Sequence, residues 1–239
     1  MVTRSSHGNL PRTNAARAIA WAVASREASA DELRGGDVVD VIEHADGSAL
    51  LLLADLSSKG RPADDDAWLL TQAFRAVADD PRGPAWILRM LNRLRFGSAP
   101  SPFDVTIAAA FVALVDRRSS SLTYAAAGHD LALIVDGDAH RHLDPTGPLL
   151  GVSADAIFSE RVVRFADRDV LVVATDGFTE CRNRLDRELF GSRGVAAAAR
   201  TRAGDTPLTI CERIARAADR FCGEHYRDDA TVASFGFIV

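Results

Sequence analysis

Basic charge is the scarcer sign in this 239-residue chain, with 28 lysine and arginine residues against 33 aspartate and glutamate residues and a formal net charge of -5. That balance excludes a bulk nucleic-acid binder and leaves no electrostatic footprint for an anionic membrane surface. Lysine is nearly missing, and Lys59 is the only one. Cysteine is sparse: Cys181, Cys211 and Cys222 form no metal-type pair and leave one over in any disulfide scheme, so a reducing compartment is expected. Long apolar runs are absent, since no stretch approaches the roughly 20 residues of a membrane span. Met1 to Asn14 is polar and arginine-bearing, without the apolar core of a signal peptide. The expectation is a soluble, cytoplasmic protein without membrane contact. The rest is ordinary globular composition, 47% hydrophobic and 26% charged, which excludes collagen-like and wholly disordered chains.

Residues 1–13 lack periodicity and read as a flexible lead-in, followed by a single domain over residues 14–239. Ile19, Trp21 and Val23 alternate with alanines, as a strand does, and Val38 to Glu43 and Ala49 to Leu53 are two more strands joined through Ala45-Asp46-Gly47 as a hairpin. From Pro62 the period changes: Ala67, Leu70, Phe74 and Val77 recur at helical spacing behind three aspartates in the first turn. Pro84 fits the first position of a second helix, marked by Ile87, Met90, Leu91 and Leu94 and ending near Phe96-Gly97. Strands are expected at Val105 to Val115, Leu122 to Ala127, Leu131 to Val135, Arg161 to Phe165 and Val170 to Thr175, with a last one from Ala230 to Ile238. Helices are expected at Val195 to Arg202 and Pro207 to Cys222, the second capped by Thr206. Strands in meander order with helices inserted in two pairs specify an α+β sandwich.

Acidic residues at strand ends carry the chemistry. Four segments place aspartate beside glycine or another small residue: Gly35 to Asp40, Ala54 to Gly60, Ala174 to Gly177 and Arg227 to Thr231. Such a side chain projects from a rigid sheet with backbone close by. Carboxylates converging on one point repel unless a divalent cation sits among them, and hard oxygen donors select Mg²⁺ or Mn²⁺. A single Asp-Gly is usually only a turn, and the sequence does not show that these ends converge.

Order and wording change that. The chain contains, in succession, Gly35-Gly36-Asp37, Asp55 to Gly60, Val105-Thr106 through Asp116, Ala126-Ala127-Gly128-His129, Pro148-Leu149-Leu150-Gly151, Thr175 to Asn183, Phe190-Gly191 and Asp228 to Thr231. From about Ala18 to the C-terminus it resembles the bacterial SpoIIE/RsbU-like branch of the PPM (PP2C-type) serine/threonine phosphatases. The resemblance implies a PP2C-like α-β-β-α sandwich, two packed antiparallel β-sheets flanked by helix pairs, with two divalent cations, Mn²⁺ or Mg²⁺, in the cleft. It implies that Asp37, Asp55, Asp176 and Asp228 are the catalytic metal ligands, with the Leu56 carbonyl as a further donor and Asp229 and Asp40 as additional candidates. The implied reaction is in-line attack of a metal-activated water on phosphoserine or phosphothreonine, with no covalent enzyme intermediate. The implied partner is a phosphorylated protein, a STAS-type anti-anti-sigma regulator. With no sensor attached, control would come from a separate regulator or a homodimer, and the helix pair Pro62 to Leu94 is where it would act.

Two positions depart from the family wording, Ala54 and Ser58, where the family carries glycine. They keep an alternative open, a catalytically silent metal-binding partner-switching module that docks a phosphoprotein. A HAD-type hydrolase fits less well, because that class needs an early DxD strand end and a lysine downstream of it, and Lys59 lies upstream of Asp176. His129, after a turn glycine, reads as a structural residue, and Cys181 as packing.

Overall fold

The computed structural model describes residues 19–28, 36–57, 61–98, 106–185 and 187–237. The lead-in expected over residues 1–13, the motif residues Gly35, Ser58, Lys59, Gly60 and Val105, and Ile238 of the last expected strand lie outside them. In chain order the elements begin with β1 (Ile19–Arg26), β2 (Gly36–Glu43), β3 (Ala49–Leu56), α1 (Arg61–Val77), α2 (Pro84–Ser98), β4 (Ala108–Asp116), β5 (Ser121–Ala127), β6 (Ala132–Asp136) and β7 (Ala139–His142). They continue with β8 (Arg161–Arg164), β9 (Val170–Ala174), α3 (Asp176–Thr179), α4 (Gly191–Ala199), α5 (Pro207–Cys222) and β10 (Ala230–Phe237). The class is α+β: two five-stranded antiparallel sheets, each with its own flanking helices.

One unit is drawn from Leu33–Asp130 and Asp144–Phe165 and carries the sheet ordered β2-β3-β4-β5-β8. Its helix-side core is built on alternate residues of β3, Leu50, Leu52, Ala54 and Leu56, packed against Leu70 and Phe74 of α1 and Ile87, Leu88 and Leu91 of α2. Burying each of these larger side chains contributes about 2 kcal/mol. Ala54 is a fully buried strand residue, opposite Val38 on one side and Ala110 on the other, with backbone in the ordinary negative-φ range. Its methyl group is therefore part of this core. Asp40 shares the helix-facing side of β2 and is bound by Arg75 of α1, Nε and Nη2 donating at 2.7 and 3.0 Å. This ion pair ties α1 to the sheet edge.

The other unit is drawn from Met1–Glu32, Leu131–Leu143 and Ala166–Val239, with strand order β1-β10-β9-β6-β7. Leu133, Val135, Val172, Ala174 and Val232 pack on Val195 of α4 and on Ile210, Ile214 and Ala218 of α5. A capping box starts α5, the Thr206 hydroxyl accepting from the Thr209 amide, and Gly223 in the left-handed region (φ 64°) ends it.

The expected meander runs through β2 to β5, and sequence neighbours also pair at β6–β7 and β9–β10. In the other sheet the first and last strands pair, and β8 and β9, neighbours in sequence, enter different sheets. β4 starts at Ala108 because the preceding Thr106 is engaged elsewhere: Arg95 of α2 donates to its carbonyl at 2.9 Å, and its hydroxyl donates to Asp66 of α1 at 2.8 Å. No helix among the described residues is long and apolar enough to cross a membrane.

Candidate active site

The register of β2 and β3 sets Asp37 directly opposite Asp55, with Gly36 opposite Leu56. Val38 and Ala54 face the helices, so the period of two puts both aspartates on the other face of the sheet. Two like charges at one ladder position are destabilising by themselves, and a divalent cation would offset that cost. Gly36 is needed for the register, since a Cβ there would stand 2.7 Å from the Leu56 Cβ. Leu56 buries its side chain in the helix-side core. The next residue, Ser57, is fastened to Ile107, its amide and hydroxyl both donating to that carbonyl at 3.1 and 2.9 Å. Asp40, three residues beyond Asp37, lies on the opposite face in its ion pair with Arg75, so it does not join the pair.

The second acidic pair lies at one end of β9 and β10. The Thr175 amide donates to the Thr231 carbonyl at 2.9 Å, and the Thr231 amide returns a bond of 2.9 Å to the Thr175 hydroxyl. Asp176 follows at once as the first residue of α3, and Asp228 and Asp229 immediately precede β10. Gly177 makes this closeness possible: a Cβ at that position would stand 2.2 Å from the Asp229 carbonyl oxygen and 2.9 Å from the Ala230 Cα. The Thr-Asp-Gly and Asp-Asp-x-Thr wordings are thus two sides of one contact. Asp228 takes the Asp229 amide on Oδ1 at 2.9 Å, and Asp229 takes the Ala28 amide on its own Oδ1 at 2.9 Å.

These donors suit a hard cation, being carboxylate and carbonyl oxygens without sulfur or imidazole. Among the described residues, no three histidine, cysteine, aspartate or glutamate side chains stand together as a ready cage. His129 is buried, its ring edge-on to Phe111 at 5.9 Å, and burial pushes the imidazole down to about 4. All three cysteines are buried and unbridged. Burial, with Cys222 as neighbour, pushes the Cys181 thiol up to about 12, and burial does the same for Cys211.

Sequence reasoning did not single out Arg26, Asp219 and Tyr226, in which the Arg26 guanidinium and the Tyr226 hydroxyl both donate to the Asp219 carboxylate. Tyr226 and Asp228 are two residues apart, but nothing in the spacing reveals that the phenol reaches α5.

A PP2C-type phosphatase domain is the class this fold defines. The family model described as stage II sporulation protein E (SpoIIE) matches residues 45–237, and the chain belongs to that family, in its RsbU-like branch. Phosphoserine phosphatase RsbU of Bacillus subtilis is 26% identical over 134 residues, covering 55% of this chain and 39% of RsbU. The SiaA PP2C domain of Pseudomonas aeruginosa matches with a TM-score of 0.77 and 26% identity, over 93% of this chain and 86% of that one. A structure of the Bacillus subtilis SpoIIE phosphatase domain with a fragment of its regulatory domain shares the fold, with a TM-score of 0.78 at 13% identity over 92% of this chain and 62% of that one. The chain spans 39% and 25% of the lengths of the curated relatives RsbU and IcfG.

Proposed function

We propose that the chain hydrolyses phosphoserine and phosphothreonine esters in a protein, with Mn²⁺ or Mg²⁺. The observation that carries this reading is the placement of the acids in two close pairs, Asp37 facing Asp55 across the β2–β3 ladder and Asp176 braced against the Asp228-Asp229 turn. On this reading Asp37, Asp55, Asp176 and Asp228, with the Leu56 carbonyl, hold two cations, and Asp229 stands beside them and fastens the Ala28 backbone. Bound there, the cations would polarise the phosphoryl oxygens and make water a stronger nucleophile at neutral pH.

The chain's own contribution is placement and charge. Four carboxylates repel a phosphate dianion, so substrate binding itself requires that their charge be neutralised. Gly36 and Gly177 keep the acids of each pair close, and the strand ends hold them rigidly. His129 stays uncharged at neutral pH and supplies no proton. Cys181 and Cys211, pushed up to about 12 by burial, carry almost no thiolate at neutral pH and are poor nucleophiles. The three unbridged thiols support a cytoplasmic location. The substrate we assign is the phosphoserine of a STAS-type anti-anti-sigma protein, with control by a separate regulator or a homodimer. The name of the relative RsbU, a phosphoserine phosphatase, supports the choice of residue. A silent docking module is not favoured, since Ala54 fits an unstrained strand and all four aspartates are present.

The test is phosphate release from p-nitrophenyl phosphate by the purified chain. Release that begins on adding Mn²⁺ and stops on adding a chelator is expected. No release with Mn²⁺, or release indifferent to the chelator, overturns the reading.

A further inference from the structure

Tyr226 lies two residues before Asp228, and Phe178 lies two residues after Asp176. The two rings meet edge to face, with centroids 5.9 Å apart and planes at 84°. Both are buried, so each acid of the second pair is attached to one half of the same aromatic contact. Tyr226 is also anchored from behind. Its hydroxyl donates to Asp219 Oδ1 at 2.8 Å, across the turn that ends α5. The Asp219 carboxylate is gripped from the other side by Arg26, Nε donating to Oδ1 at 2.9 Å and Nη2 to Oδ2 at 2.7 Å. The backbone of Asp219 is committed as well, its carbonyl accepting the Gly223 amide at 2.8 Å and the Glu224 amide at 3.2 Å.

Arg26 is the last residue of β1, paired in register with Ala230, and Ala28 just beyond it donates to Asp229. The Asp228-Asp229 turn is therefore held at both flanks, through Tyr226 to α5 and through Ala28 to β1. Burial works against the charge on Asp219, yet the bonds from Arg26 and Tyr226 outweigh it and keep the carboxyl below the usual carboxylate range. The group is ionised throughout the neutral range and the grip is charge-assisted on both sides.

We propose that Arg26, Asp219 and Tyr226 form a positioning relay that sets Asp228 against Asp176 for cation binding. The proposal rests on the metal-dependent reading above. None of the three residues needs to touch cation or substrate: the relay acts through the ring of Tyr226 on Phe178 and through the short chain from Tyr226 to Asp228. Tyr226→Phe is the cleanest probe, because it keeps the aromatic contact and removes only the hydroxyl. Asp219→Asn removes the charge at the centre of the relay.

Calorimetric titration of the metal-free full chain with Mn²⁺, together with the metal-free Tm and with kcat at saturating Mn²⁺, tests this. Tyr226→Phe is expected to weaken Mn²⁺ binding roughly tenfold, as losing a partner that orients a ligand typically does, while kcat at saturating Mn²⁺ stays within about twofold. Asp219→Asn should move the affinity in the same direction. A Tyr226→Phe variant with wild-type Mn²⁺ affinity overturns the relay, whatever its Tm, and shows the hydrogen bond to be structural only. A wild type that takes up no Mn²⁺ overturns the relay together with the metal-dependent reading, so the two failures are distinguishable.

Discussion

His129 shows how an attractive catalytic side chain is set aside by its surroundings. Histidine after a turn glycine invites a proton-transfer role, but this one is fully enclosed and its ring lies against Phe111. Burial lowers its pKa from 6.5 to about 4, so the unfolded chain binds the extra proton in the interval between those values. Stability from this residue is complete above pH 6.5 and is lost as the pH falls toward 4, at about 1.4 kcal/mol per unit. Urea unfolding of the wild type and of His129→Gln at pH 7 and pH 5 measures it. The wild type should lose about 2 kcal/mol more than the variant over that range, and identical losses would show that the imidazole is not held neutral. The aspartates are legible from sequence for the opposite reason. Asp37 and Asp176 sit beside Gly36 and Gly177, which close backbone approach demands, and both kinds of residue show in the sequence. Arg26, Asp219 and Tyr226 act through contacts spanning as many as 193 positions, and no local pattern reports such a contact.

α3 and β10 meet so closely that the junction excludes a side chain. Gly177→Ala would drive a methyl group into the Asp229 carbonyl, 2.2 Å away. We expect a stability loss of about 1–3 kcal/mol and weaker Mn²⁺ binding, read from urea titration and calorimetry. Unchanged values for both would mean that the two segments are not in contact. The elements with strong apolar periodicity, α1, α2, α5 and most strands, are legible within a few residues. β7 is not, because Ala139 to His142 is exposed throughout and is made by the Asp136-Gly137 turn and edge pairing, with no buried face to leave an alternation. The four-residue α3 is too short for any period to register. α4 starts four residues before the expected Val195, because Gly191 in the left-handed region (φ 66°) turns the chain into the helix ahead of the apolar run. The entry of β8 and β9 into different sheets is likewise invisible locally, since neither the short exposed β8 nor the apolar, buried β9 carries a mark of the sheet that it joins.

Family membership and fold agree with the order of the eight motif segments, and the substrate is the part that the strand-end acids alone do not specify. On the proposed function a carboxylate pair would read a phosphate through bound cations, whereas the identity of the phosphoprotein would depend on the surrounding surface. We propose more narrowly that phosphate release needs an acid from each pair. Initial rates of phosphate release from p-nitrophenyl phosphate at saturating Mn²⁺, for the wild type, Asp55→Asn and Asp176→Asn, test it most directly, each variant first being shown to unfold cooperatively. If each carboxylate holds cations that stabilise transition-state charge by several kcal/mol, both variants should lose at least about a hundredfold in rate. A wild-type rate in either variant would contradict the account.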